Sequence, residues 1–121
     1  MNCLPGKEIS ARFPHAIQNQ EFEVYYQPKV NIETNTICGC EALVRWFRYG
    51  KMVSPMSFIP VLESEGTICV LDFYVFEKVC KTIKKWKESG IEPVRVSVNF
   101  SRIHLHNPNL AEDILEIIDI T

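Results

Sequence analysis

Glu41 and Arg45 lie four residues apart in the stretch Thr36 to Trp46, TICGCEALVRW. With a period of two, Gly39, Glu41, Leu43 and Arg45 share one face of a strand, and Cys38, Cys40, Ala42 and Val44 share the other. Charges are seldom buried unless they are paired or hold a metal. A Glu–Arg pair or a solvated sheet face explains this pattern. So does a site whose carboxylate takes a cation. A second polar face runs through VRVSVNFS, where Arg95, Ser97, Asn99 and Ser101 alternate with Val94, Val96, Val98 and Phe100. Asn99 falls near the C-terminal end of that stretch, where open α/β sheets and barrels place their ligands. It is either a loop anchor or, with Glu41, one of two hard oxygen donors of the kind Mg²⁺ or Mn²⁺ takes.

Other chemistry-bearing residues have plainer explanations. His104 and His106 sit in the polar stretch RIHLHNP, with no partners at zinc spacing. Cys38 and Cys40 form a C-x-C pair that no second pair follows. Lys78, Lys81, Lys84, Lys85 and Lys87 crowd the later part of one helix, as a solvated face that complements the helix dipole would. Glu63 and Glu65 fit a surface helix end as well as an acid–base role.

The elements that must position these residues follow from periodicity. Ile9, Phe13 and Ile17 predict a helix over Glu8 to Asn19, with Pro14 inside it. Phe22 to Val30 alternates as a strand, Glu33-Thr34-Asn35 as a turn, and Thr36 to Trp46 as a second strand. A parallel pair needs a crossover of a dozen or more residues, so this pair is expected to be an antiparallel hairpin. Tyr49-Gly50-Lys51 and Ser54-Pro55 mark a loop. A short helix is expected over Ser57 to Ser64, and a long one over Ile68 to Ser89 with Leu71, Val75, Val79, Ile83 and Trp86 as its apolar stripe. Val94 to Ser101 reads as a third strand. Asn107-Pro108 reads as a helix start whose Leu110, Ile114 and Ile117 face inward.

Composition narrows the class. The 121 residues suffice for one domain or part of one, and 46% hydrophobic with 23% charged residues excludes a wholly disordered chain. Thirteen basic against fifteen acidic residues argue against a broad electrostatic grip on DNA. Five cysteines, and no apolar leader in Met1 to Ser10, suit a reducing cytoplasm. No stretch is long enough for a membrane span.

Taken together, Tyr26-Gln27-Pro28, Gly39-Cys40-Glu41-Ala42-Leu43-Val44-Arg45-Trp46, Ser54 to Pro60 (SPMSFIP), Leu71-Asp72 and Ser97-Val98-Asn99-Phe100-Ser101 resemble, in order and spacing, the motifs of the EAL domain, a bacterial cyclic-di-GMP phosphodiesterase. The resemblance covers nearly everything from about Glu21 to the C-terminus. It implies an α/β fold, part of a modified TIM barrel whose first strand runs antiparallel to the second. It further implies that Glu41 and Asn99 are ligands of a two-ion Mg²⁺ or Mn²⁺ site, that Arg45 contacts a substrate phosphate, and that Gln27 and Leu43 are substrate contacts. The reaction implied is hydrolysis of cyclic-di-GMP to the linear dinucleotide.

A TIM barrel takes about 250 residues and eight strands, of which about three are expected here. The expected organisation is therefore a lead-in helix over 1–20 and the N-terminal half of an EAL domain over 21–121. No catalytic set is complete in such a segment, and two function readings follow. One is part of an active phosphodiesterase, inactive without the remaining half of the domain. The other is a truncated non-catalytic module that binds a nucleotide or a partner protein. An open sheet edge and an uncovered apolar stripe lead to an expectation of self-association.

Overall fold

The structure, a computed structural model, describes residues 3–92 and 94–120. Its elements in chain order are α1 (Gly6–Gln18), β1 (Phe22–Asn31), β2 (Thr36–Arg48), β3 (Lys51–Val53), α2 (Pro55–Glu65), α3 (Ile68–Glu88), β4 (Val96–Val98), a short 3₁₀ turn (Arg102–His106) and α4 (Leu110–Ile120).

β1 and β2 form the antiparallel hairpin that the short connection predicts, in register from Phe22 opposite Trp46 to Asn31 opposite Thr36. A slip between Lys29 and Val30 sets Val30 opposite Ile37, both exposed, so the tip of the hairpin leaves the core. Asn35 takes the left-handed backbone the turn needs (φ 52°).

The loop expected after β2 is instead a tight reversal into a further strand. Tyr49 and Gly50 both have positive φ, 52° and 75°, as a two-residue hairpin turn requires. The chain then returns as β3, with Val53 opposite Trp46. The described sheet therefore has four strands rather than three. β3 is hidden in the sequence because three residues are too few to show alternation.

α2 and α3 carry the chain across to β4, which pairs parallel to β2: Cys40 opposite Val96, Glu41 opposite Ser97, Ala42 opposite Val98. A parallel neighbour reached through helices is the expected α/β geometry. The third strand is shorter than the Val94 to Ser101 predicted. Its ladder ends at Val98, and three residues on the Ser101 amide turns away to the Asp72 carboxylate, 2.9 Å distant.

The core lies between the sheet and the helices. Phe22, Trp46 and Phe58 are its aromatic centre: Phe22 stacks on Trp46 at 5.2 Å, and Phe58 meets Trp46 edge-on at 5.4 Å. α1 contributes Ile9, Phe13 and Ala16 to this same core, and α3 contributes Leu71, Val75 and Val79. Gly66 (φ 78°) separates α2 from α3 with the left-handed turn that ends a helix.

α4 starts at Leu110, two residues after Pro108. Asn107 accepts the Asn109 N–H at 2.9 Å through its side-chain oxygen and donates its amide to Asp113, so it closes a turn before the helix begins. Leu110, Ile114 and Ile117 are half-buried, whereas Leu115 and Ile118 are exposed. No helix among the described residues is long and apolar enough to cross a membrane.

Candidate functional site

One edge of β2 is divided between two strands. β4 pairs with Cys40–Ala42 and β3 with Trp46–Arg48, so among the described residues 43–45 have no strand on that side. A cleft of about 330 Å³ opens there, lined among others by Leu43, Arg45, Ile59, Glu63, Asp72 and Asn99.

The approach of β4 to β2 depends on Gly39. A Cβ at that position would lie 2.8 Å from the Arg95 carbonyl oxygen, inside any normal contact. With glycine there, the neighbouring Cys40 N–H donates to that same carbonyl at 2.9 Å. This bond starts the parallel ladder whose next rungs carry Glu41 and Ser97.

Beyond the ladder, the Asn99 side-chain amide donates to the Glu41 carboxylate at 3.0 Å. Gln27 stands directly opposite Glu41 on β1 and is exposed; Leu43 stands opposite Tyr25 and is half-buried. Lys29, on the same face of β1 as Gln27, donates to the Ser97 hydroxyl at 3.2 Å.

The Arg45 guanidinium donates to the Val44 carbonyl at 2.9 Å. Glu41 and Arg45 therefore do not form the pair that period two allows: one is met by Asn99, just past the neighbouring strand, and the other by the Val44 carbonyl of its own strand. Arg45, Leu43 and Asn99 line the cleft, and Glu41 and Gln27 lie beside it on the same sheet face.

Among the described residues no group of three His, Cys, Asp or Glu side chains is placed to hold a metal ion. His104, expected in a polar loop, is instead buried: its ring lies 4.8 Å from that of Phe100 and 5.0 Å from that of Phe73, and its Nε2 is 2.9 Å from Asp72 Oδ2. Neither this pair nor the Asp72 contact with Ser101 is visible in the sequence, since both partners are far from Asp72 along the chain. The family-like Leu71-Asp72 pair is the available signal. Glu65 accepts from the Ser10 hydroxyl, and Glu63 remains exposed at the cleft rim. Burial, with Asp72 nearby, pushes the Cys69 thiol up; burial, with Glu77 nearby, does the same to Cys80, so neither is set up as a thiolate nucleophile.

The pattern that defines the EAL domain matches residues 10–121. The chain belongs to the EAL domain family. It is 38% identical over 116 residues to an uncharacterized signaling protein of Caulobacter vibrioides, covering 95% of this chain and 14% of that protein. It is 32% identical over 105 residues to the probable cyclic di-GMP phosphodiesterase PdeG of Escherichia coli, covering 86% of this chain and 21% of PdeG. Among solved structures, the fold matches the PaMucR phosphodiesterase in its c-di-GMP complex with a TM-score of 0.83 at 23% identity, over 93% of this chain and 46% of that one. This EAL chain thus spans less than half the length of these relatives. The mixed sheet, with β1 antiparallel to β2 and β4 parallel to it, is the corresponding part of the EAL barrel.

Proposed function

We propose that this EAL segment forms the metal- and phosphate-binding part of a phosphodiesterase that opens cyclic-di-GMP to the linear dinucleotide. The observation that carries this reading is the Glu41–Asn99 contact, a carboxylate on β2 and an amide just past the end of its parallel neighbour β4, beside a cleft lined by a guanidinium. The similarity to PdeG supports the reaction, and the likeness to a phosphodiesterase in its c-di-GMP complex supports the fold that would host it.

The donor set fits a hard divalent cation, Mg²⁺ or Mn²⁺. Glu41 offers carboxylate oxygens, and rotation of the Asn99 amide would present its oxygen in place of the nitrogen that now meets Glu41. Glu41 and Asn99 would hold that cation together with ligands from outside this segment. Bound there, a divalent ion supplies a more acidic water and neutralises charge developing at phosphorus. Arg45 has the reach and the fork geometry to exchange its bond to Val44 for a phosphate oxygen. Gln27 and Leu43 flank Glu41 and Arg45 on the same face, as substrate contacts. In the reaction water adds at one phosphorus, one P–O ester bond breaks, and the departing sugar oxygen takes a proton.

The test is product formation by the family-length protein carrying this segment, in Mg²⁺ and in Mn²⁺. Glu41→Gln should abolish conversion of cyclic-di-GMP to the linear dinucleotide and weaken Mn²⁺ binding. Turnover unchanged in that variant would exclude Glu41 from the chemistry.

A further inference from the structure

Asp72 belongs to the family-like Leu71-Asp72 pair, to which no chemistry has been attached. It stands near the start of α3, yet its side chain is turned inward and 9% of the residue is exposed. One carboxylate oxygen, Oδ2, accepts the Ser101 backbone N–H at 2.9 Å and lies 2.9 Å from His104 Nε2. His104, 3% exposed, is wedged beside Phe73 and Phe100, so the imidazole holds the carboxylate in place. The Ser101 hydroxyl also accepts from the Ile103 N–H, which closes the turn that follows.

These contacts fix the backbone on both sides of Asn99. On one side Val98 is paired with Ala42 in the ladder; on the other the Ser101 amide is tied to α3 through Asp72. Between two such anchors the backbone at Asn99 has little freedom, and its side chain is directed at Glu41. We propose that Asp72, braced by His104, is the positioning residue that sets Asn99 against Glu41. Its bearing on catalysis rests on the metal-ligand reading above; its bearing on geometry does not. Groups that orient a ligand without touching the metal typically change metal affinity by about 10- to 100-fold when removed.

The experiment compares wild type, Asp72→Leu, Asp72→Asn and Asn99→Ala in the family-length protein carrying this segment. It measures Mn²⁺ binding by titration calorimetry and amide hydrogen exchange at Ser101, with Ala42 in the ladder as the reference for an intact sheet. Leucine fills the space without an acceptor, and asparagine keeps a carbonyl oxygen for the Ser101 N–H. Asp72→Leu should weaken Mn²⁺ binding about 10- to 100-fold and speed exchange at Ser101 but not at Ala42, and Asp72→Asn should restore most of both. If Asp72→Leu also exposes Ala42, Asp72→Ala takes its place. Wild-type Mn²⁺ affinity in the loss variant, or an asparagine variant as impaired as the leucine one, overturns the proposal. If Asn99→Ala binds Mn²⁺ as wild type does, the metal-ligand reading fails instead. Ser101 exchange and the Asn99 side-chain amide resonances then decide on their own: altered in Asp72→Leu they support the clamp, unaltered they overturn it.

Discussion

The side-chain amide of Asn99 meets the carboxylate of Glu41 at 3.0 Å, although 58 residues separate them in the chain. A neutral amide can share this space with a carboxylate; a second carboxylate cannot do so freely. Asn99→Asp should therefore create a coupled acidic pair that holds one proton to higher pH than either would alone. A carboxyl whose folded pKa is raised contributes stability at low pH that is lost as pH rises. Relative to wild type, the variant's melting temperature should fall between acid and neutral pH, and Mn²⁺ should reverse the fall. A difference from wild type that stays constant with pH would show that the two groups do not interact.

Arg45 is bonded to its own strand's backbone and lines the cleft. In the family-length protein Arg45→Ala should lower kcat/KM for cyclic-di-GMP by about 1.5–3 kcal/mol, the worth of a hydrogen bond to a charged group. Mn²⁺ affinity should be little changed, because Arg45 is not placed as a ligand. The opposite pattern, with kcat/KM intact and thermal stability lowered, would make Arg45 a structural residue.

Gly39 admits the Arg95 carbonyl at a distance no side chain allows. Gly39→Ala should cost about 1–3 kcal/mol, the usual range for overpacking a tight contact, measurable by urea unfolding. The loss should be local to the β2–β4 ladder, so amide exchange at Cys40 should accelerate more than exchange in the β1–β2 hairpin. Uniform acceleration would mean that the strands separate as one unit.

Glu21 ties α1 to the aromatic core: Trp46 Nε1 donates to one of its oxygens at 3.0 Å, and Arg12 pairs with the other. Burial alone pushes this carboxyl up. The bonds from Trp46 and Arg12 outweigh burial, and the net effect holds it below the usual glutamate value. A lowered folded pKa contributes stability that is complete above the ordinary glutamate pKa and is lost as pH falls through the lowered one. Glu21→Gln keeps an acceptor for the indole but has no charge to titrate. Its melting temperature should lie below wild type at neutral pH and approach it in acid. A gap that widens on acidification would reverse the assigned sign.

The residues that carry the candidate site are legible in the chain itself. Period two places Glu41, Leu43 and Arg45 on one face, and the short turn makes β1 and β2 antiparallel, because both signals lie within a few neighbouring residues. The long helix is equally plain, since Leu71, Val75 and Val79 repeat at helical spacing over successive turns. Elements of three residues are not: β3 and the true extent of β4 depend on which segment of β2 lies alongside, not on local pattern.

Local chemistry in the sequence determined the types of donor available, the strand faces they occupy and the direction of the hairpin, because backbone sterics and side-chain alternation act over short distances. Tertiary structure decided which of those donors meet. Asn99 reaches Glu41 because Gly39 lets β4 close on β2, and Arg45 bonds Val44 rather than Glu41. Asp72 turns inward because Ser101 and His104, remote in the chain, give its carboxylate a donor and a brace away from water. The Arg45–Val44 bond apart, these contacts join segments about thirty to sixty residues apart, and no short-range rule of propensity or period reaches that far.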